Sequence, residues 1–148
     1  MKAWGIRLLL ASVFILALFI TNTLADETVG TLIVNLEGFP NSEGYAMVAL
    51  FGSEQAYAEG SPKTAQAKVK VEDQKALATF VDLQYGTYAV AVYHDRNANG
   101  KMDKNFLGIP KESYGHSNNA AGSFGPPSFD KAKFEFGSPE KQIVIKLK

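Results

Sequence analysis

Seven short runs with a two-residue apolar period, and no helical run of comparable length between them, restrict this chain to an all-β fold. The runs are Thr31–Leu36, Tyr45–Phe51, Ala67–Val71, Ala76–Val81, Thr87–His94, Ala132–Phe136 and Ile143–Leu147. In the first, Leu32, Val34 and Leu36 share a face. In the third, Ala67, Val69 and Val71 face one way and Lys68 and Lys70 the other. Side chains alternate across a strand, so each such run has one dry face and one wet face. Gly, Pro, Asn and Asp separate the runs and supply turns. Ser53–Glu59 predicts one or two helical turns with Ser53 as the N-cap. Strands without crossover helices predict an antiparallel β-sandwich of about seven strands.

Two runs are apolar on both faces. Tyr88, Val90 and Val92 oppose Ala89, Ala91 and Tyr93, and Val48 and Leu50 oppose Met47 and Ala49. Strands of this kind are buried on both sides. One set fills the core, and the other, with smaller side chains, leaves room for something to lie across it. The segment long enough to do so is Asp95–Asp130, 36 residues. Connections of that length are functional or disordered. Phe106, Leu107, Ile109, Tyr114, Phe124 and Phe129 argue for order, since disordered segments are poor in such residues. The expectation is an ordered loop packed over the small apolar face.

That loop begins Asp95-Arg96-Asn97-Ala98-Asn99-Gly100-Lys101-Met102-Asp103. Alternating Asp95, Asn97 and Asn99 can aim three side-chain oxygens at one point, and Gly100 permits the sharp turn after them. The Lys101 carbonyl and Asp103 extend the set. Ca²⁺ takes six to eight hard oxygens, and this spacing is the first half of an EF-hand-type loop. The bidentate Glu of such loops is replaced by Phe106, so further oxygens are needed, with Glu112 and Asp130 as candidates. The competing reading is a run of Asx-turns that shapes the loop without an ion.

Other candidates carry weaker patterns. His94 and His116 are the two histidines, and strand parity puts His94 on the face opposite Asp95. Ser117 and Ser123 match no nucleophile elbow and read as loop serines. Tyr114, His116, Asn118, Asn119 and Phe124 mix ring, imidazole and amide groups suited to a polar ligand or sugar.

The N-terminus has the three-part layout of a secretory signal peptide. Lys2 and Arg7 form a cationic head, Leu8–Ile20 an apolar run too short for a membrane span, and Thr23 and Ala25 a small-residue cut site. Cleavage after Ala25 leaves Asp26–Lys148 as a single domain, a periplasmic or secreted protein with no stable membrane span. Loss of Lys2 and Arg7 leaves 13 basic against 15 acidic residues. Near-neutral charge excludes a general affinity for nucleic acid. The chain has no cysteine, so packing, alone or together with a metal, must hold the fold.

Phe80-Val81-Asp82-Leu83-Gln84-Tyr85-Gly86-Thr87-Tyr88-Ala89-Val90 and the run His94–Asp103 resemble the bacterial family catalogued as domain of unknown function 2141. Leu107-Gly108-Ile109-Pro110, Tyr114–Asn119 and Phe124–Phe129 extend the resemblance. It implies an exported protein and no particular activity. Leu83–Tyr88 is also similar to the start of a strand in transthyretin-like sandwiches, which bears on fold alone. Three functional classes follow. The first is a calcium-stabilised module that binds a small ligand, a glycan or an envelope protein through the 95–130 loop. The second is a hydrolase or metal-dependent enzyme using His94, Asp95, Glu112 or His116. The third is a structural cell-envelope domain.

Overall fold

A computed structural model describes residues 28–148. The expected signal peptide and its cut site lie outside the described residues. The elements in chain order are β1 (Val29–Glu37), β2 (Tyr45–Phe51), α1 (Glu54–Glu59), β3 (Ala65–Lys70), β4 (Lys75–Gln84), β5 (Gly86–Asp95), β6 (Tyr114–His116), α2 (Phe129–Ala132), β7 (Phe134–Phe136) and β8 (Glu140–Lys146). They form a two-sheet β-sandwich. One sheet has the order β4-β1-β8 and the other β3-β2-β5-β6, with β7 on the far end of β5.

The period-two faces meet between the sheets. Leu32, Val34 and Leu36 of β1 are buried against Val48 and Leu50 of β2, Val90 and Val92 of β5, and Ile145 of β8. Each buried aliphatic side chain of this size stabilises the fold by about 1.5–3 kcal/mol. A bulge sets Val81 and Asp82 of β4 against a single residue of β1, with Asp82 at φ 51°. The extra residue returns Leu83 to the core and leaves Val81 outside. Helix α1 forms where expected: the Ser53 hydroxyl accepts the Ala56 N–H at 3.2 Å, and Gly60 ends the helix at φ 70°.

Three details depart from the sequence reading. First, β1 and β8 pair in parallel, Thr31 opposite Glu140 through Glu37 opposite Lys146, so the sandwich is not wholly antiparallel. These strands come from the two ends of the domain, and no hairpin constrains their direction. Second, Ala132 is not the start of a strand. It closes the single turn α2, and only Phe134–Phe136 is extended. The nearby carbonyls are taken by side chains rather than by a strand: Asn118 Nδ2 donates to the Lys131 and Lys133 carbonyls at 3.1 and 2.8 Å. Third, the long segment contains an extra strand, β6, too short to show a period. It pairs with Ala91–Tyr93 of β5 and covers what would be an open edge.

Candidate functional site

The outer face of the five-stranded sheet is divided in two. At the Ala89 end it is closed. Phe51, Ala56, Ala89 and Ala132 are buried there beneath α1 and α2. Tyr57 of α1 stands edge-on to Phe51, His116 and Phe129, with ring centroids 5.6, 6.1 and 5.8 Å away. Burial pushes the Tyr57 phenol up to about 12. His116 is nearly enclosed. Burial, and secondarily the Lys148 charge, lower its pKa to about 4, so its imidazole is neutral near pH 7.

At the other end the face is open. Ladder register puts Gln66, Ala49, Ala91 and His116 in one rank across β3, β2, β5 and β6. Lys68, Met47, Tyr93 and Tyr114 form the next. These ranks floor a groove of about 1110 Å³. Its far walls come from the 100–110 and 124–126 stretches, including Met102, Leu107, Ile109 and Phe124. Over Met47 and Ala91 the expected cover is thus a wall, whereas at the Ala89 end Phe129 of the same segment does help to close the face. Leu107 is 67%, Ile109 54% and Phe124 105% exposed, while Ala91 and Met47 are only half-buried.

The wall stands because its backbone is satisfied without packing on the sheet. Asn105 Oδ1 accepts the Leu107 and Ile109 N–H groups at 2.9 and 3.0 Å, and the Asn105 N–H donates to the Ile109 carbonyl. That tight turn leaves Phe106 exposed away from the groove and Leu107 exposed on its wall. Glu112 ties the base together: its two oxygens accept the Arg96 and Asp103 N–H groups, both at 3.0 Å.

The candidate metal ligands lie at the start of this wall. Asp95 is fully buried, and its oxygens accept the Asn99 and Gly100 N–H groups at 3.0 and 2.9 Å. Asn97 and Asn99 donate through Nδ2 to the two Asp103 oxygens at 2.8 and 3.0 Å. Their Oδ1 atoms take the Asn99 and Lys101 N–H groups at 3.1 and 2.8 Å. Asp95, Asn97, Asn99 and Asp103 therefore do converge. Asp130 does not join them; from α2 it pairs with Lys133, just past the helix end, at 2.6 Å. Among the described residues no three His, Cys, Asp or Glu side chains could together hold a metal, so an ion would rely on asparagine and main-chain oxygens.

The groups considered for catalysis are divided between the two faces of the larger sheet. His94 points to the core side of β5, edge-on to Phe39 at 5.0 Å, with Nε2 2.6 Å from the Glu43 carbonyl. Asp95 and His116 lie on the outer side, and both Glu112 oxygens are held by main-chain N–H groups. Ser117 is buried within the fold rather than placed in a loop, whereas Ser123 is exposed. Of the proposed ligand loop, Tyr114, His116 and Phe124 line the groove, while Asn118 and Asn119 hold backbone: Asn119 Oδ1 accepts the Lys146 N–H at 2.7 Å. Lys63, Lys68 and Lys104 also line the groove and were not singled out from sequence. Lys68 carried a signal in its outward parity on β3. The other two carried none.

The molecule is thus a β-sandwich with a groove on the outer face of its larger sheet. Residues 34–144 match the family described as an uncharacterized protein conserved in bacteria (DUF2141), and the chain belongs to that family. No curated protein and no solved structure matches it. No helix among the described residues is long and apolar enough to cross a membrane.

Proposed function

We propose that this protein is an exported, non-enzymatic binding module whose ligand lies in the groove between the outer face of β2 and β5 and the wall built by residues 100–126. The observation that carries the reading is the half-buried floor of Met47, Ala49, Ala91 and Tyr93 facing exposed Leu107, Ile109 and Phe124. Apolar concavities of this scale are typical ligand sites. His94 faces the core and the Asp95 and Glu112 carboxylates are occupied by main-chain N–H groups, which supports binding over catalysis, because a reaction centre needs convergent groups free to act. Export rests on Lys2, Arg7 and the Leu8–Ile20 run.

Calcium belongs to the same proposal as a stabiliser of the wall. Asp95, Asn97, Asn99, the Lys101 carbonyl and Asp103 supply its oxygens, and Glu112 fixes the base of the loop. The test of the groove uses Nile red, a neutral apolar dye. The purified protein should enhance its fluorescence saturably, and Ala49→Trp, which fills the floor from an outward-facing strand position, should remove the effect. Equal dye binding by the Ala49→Trp variant would reject the groove as the site.

A further inference from the structure

The ionisable side chains lining the groove are unequal in sign. Lys63, Lys68 and Lys104 contribute three ammonium groups, and no Asp or Glu lines it. All three lysines are exposed. They come from three separate places: the stretch before β3, the outward face of β3, and the 100–110 wall. The Lys68 ammonium lies 4.2 Å over the Tyr45 ring, beside the second floor rank. Lysines of this kind lay their methylenes along apolar surface and keep the charge at the water boundary. Burial first, and then the charges of two carboxylates, Asp95 and Glu112, hold the Tyr93 phenol above its usual range. Both are buried, with all their oxygens engaged by main-chain N–H groups. His116 is neutral near pH 7 and adds no charge. The groove therefore has an apolar body and a cationic rim, on a mature chain whose net charge is slightly negative.

Resting on the groove reading above, we infer that the ligand is a single-chain anionic amphiphile, its acyl chain laid across the Met47, Ala49, Ala91 and Tyr93 floor and its head group among Lys63, Lys68 and Lys104. Four strands at their usual spacing make a floor about 14 Å wide, enough for an extended medium-length chain. A concave floor with charges on its rim suits one monomeric chain. A bilayer surface would call for a flat or convex face.

Displacement of Nile red from the purified protein tests the inference. Dodecanoate should displace the dye at least tenfold better than dodecanol and better still than dodecylammonium. Affinity should rise from octanoate to dodecanoate by up to about fourfold per methylene. Salt should weaken the carboxylate and spare the alcohol. The double variant Lys63→Glu/Lys104→Glu, both exposed positions, should lose about tenfold for dodecanoate and change little for dodecanol. Its unaltered melting temperature would show that the fold is intact. If dodecanol equals dodecanoate in the wild type and the double variant behaves alike, the anionic inference falls while the groove stands. If neither the dye nor any chain binds, the groove reading itself falls. Binding to phosphatidylglycerol vesicles without binding of monomeric dodecanoate would replace the inference with a membrane-docking face.

Discussion

The Ser117 hydroxyl accepts a hydrogen bond from the Val90 main-chain N–H at 2.9 Å. Val90 falls in a gap on β5, between Gly86–Tyr88, which pair with β7, and Ala91–Tyr93, which pair with β6. A side chain thus fills a missing rung of the ladder. The same hydroxyl donates to the Ala132 carbonyl at 2.5 Å and so fastens α2 to the sheet.

Ser117→Ala should be strongly destabilising for a one-atom change. It strands a buried N–H and a buried carbonyl, each costing about 1–3 kcal/mol. The urea midpoint should fall by an amount equivalent to roughly 2–4 kcal/mol with an unchanged slope. A loss below about 0.5 kcal/mol would mean that water replaces the hydroxyl.

Glu112→Ala should loosen the wall of the groove. Two charge-assisted hydrogen bonds disappear, worth about 1.5–3 kcal/mol each. Hydrogen exchange at Arg96 and Asp103 should accelerate at least tenfold, with β1 amides keeping their protection. Unchanged exchange at both positions would show that the clamp is not holding the loop.

Stability should fall with acid through His116. Its folded pKa of about 4 lies below the ordinary 6.5, so the unfolded chain takes up the proton first. The contribution is fully present above pH 6.5 and disappears as pH drops toward 4, by up to about 3 kcal/mol. Denaturation between pH 4 and 7 should show this slope, and His116→Gln should flatten it. An imidazole titrating near 6.5 in NMR would contradict the burial argument.

Gly44→Ala should disturb the start of the candidate calcium loop, although Gly44 is far from Asp95 in sequence. Gly44 adopts φ +63°, and an added Cβ would collide with the Asp95 carbonyl oxygen and come within 2.7 Å of Arg96 Cα. Left-handed strain and a backbone clash together should cost about 3 kcal/mol or more. A melting temperature within a degree of wild type would show that the two segments can separate freely.

Calcium should bind weakly, at about 10⁻⁴–10⁻³ M, as in extracellular modules lacking a full ligand set. At a hundred times its dissociation constant it should add about 2.7 kcal/mol. Melting temperature should rise with Ca²⁺, fall back with chelator and respond less to Mg²⁺. Asp95→Ala should abolish the calcium-dependent part. No shift and no binding heat at millimolar Ca²⁺ would leave the loop as Asx-turns alone.

What the sequence determined on its own is what depends on near neighbours. Period two placed Leu32, Val34, Leu36, Val90 and Val92 in the core, because alternation is a property of each strand by itself. Ser53 capped α1 through a contact three residues away. Asp95, Asn97, Asn99 and Asp103 converge because their spacing allows one tight loop to gather them. Tertiary structure decided everything that joins distant segments. It paired β1 with β8 in parallel, placed Ser117 under Val90, and brought Lys63, Lys68 and Lys104 around one groove. It also determined that the 100–110 and 124–126 stretches rise beside the sheet, while Tyr114–His116 joins its edge and Phe129 closes the Ala89 end. Hydrophobicity sets the demand for burial at Leu107, Ile109 and Phe124, but it is non-directional. The hydrogen bonds of Asn105 and Glu112 fixed where Leu107 and Ile109 stand, and no short-range pattern encodes that choice.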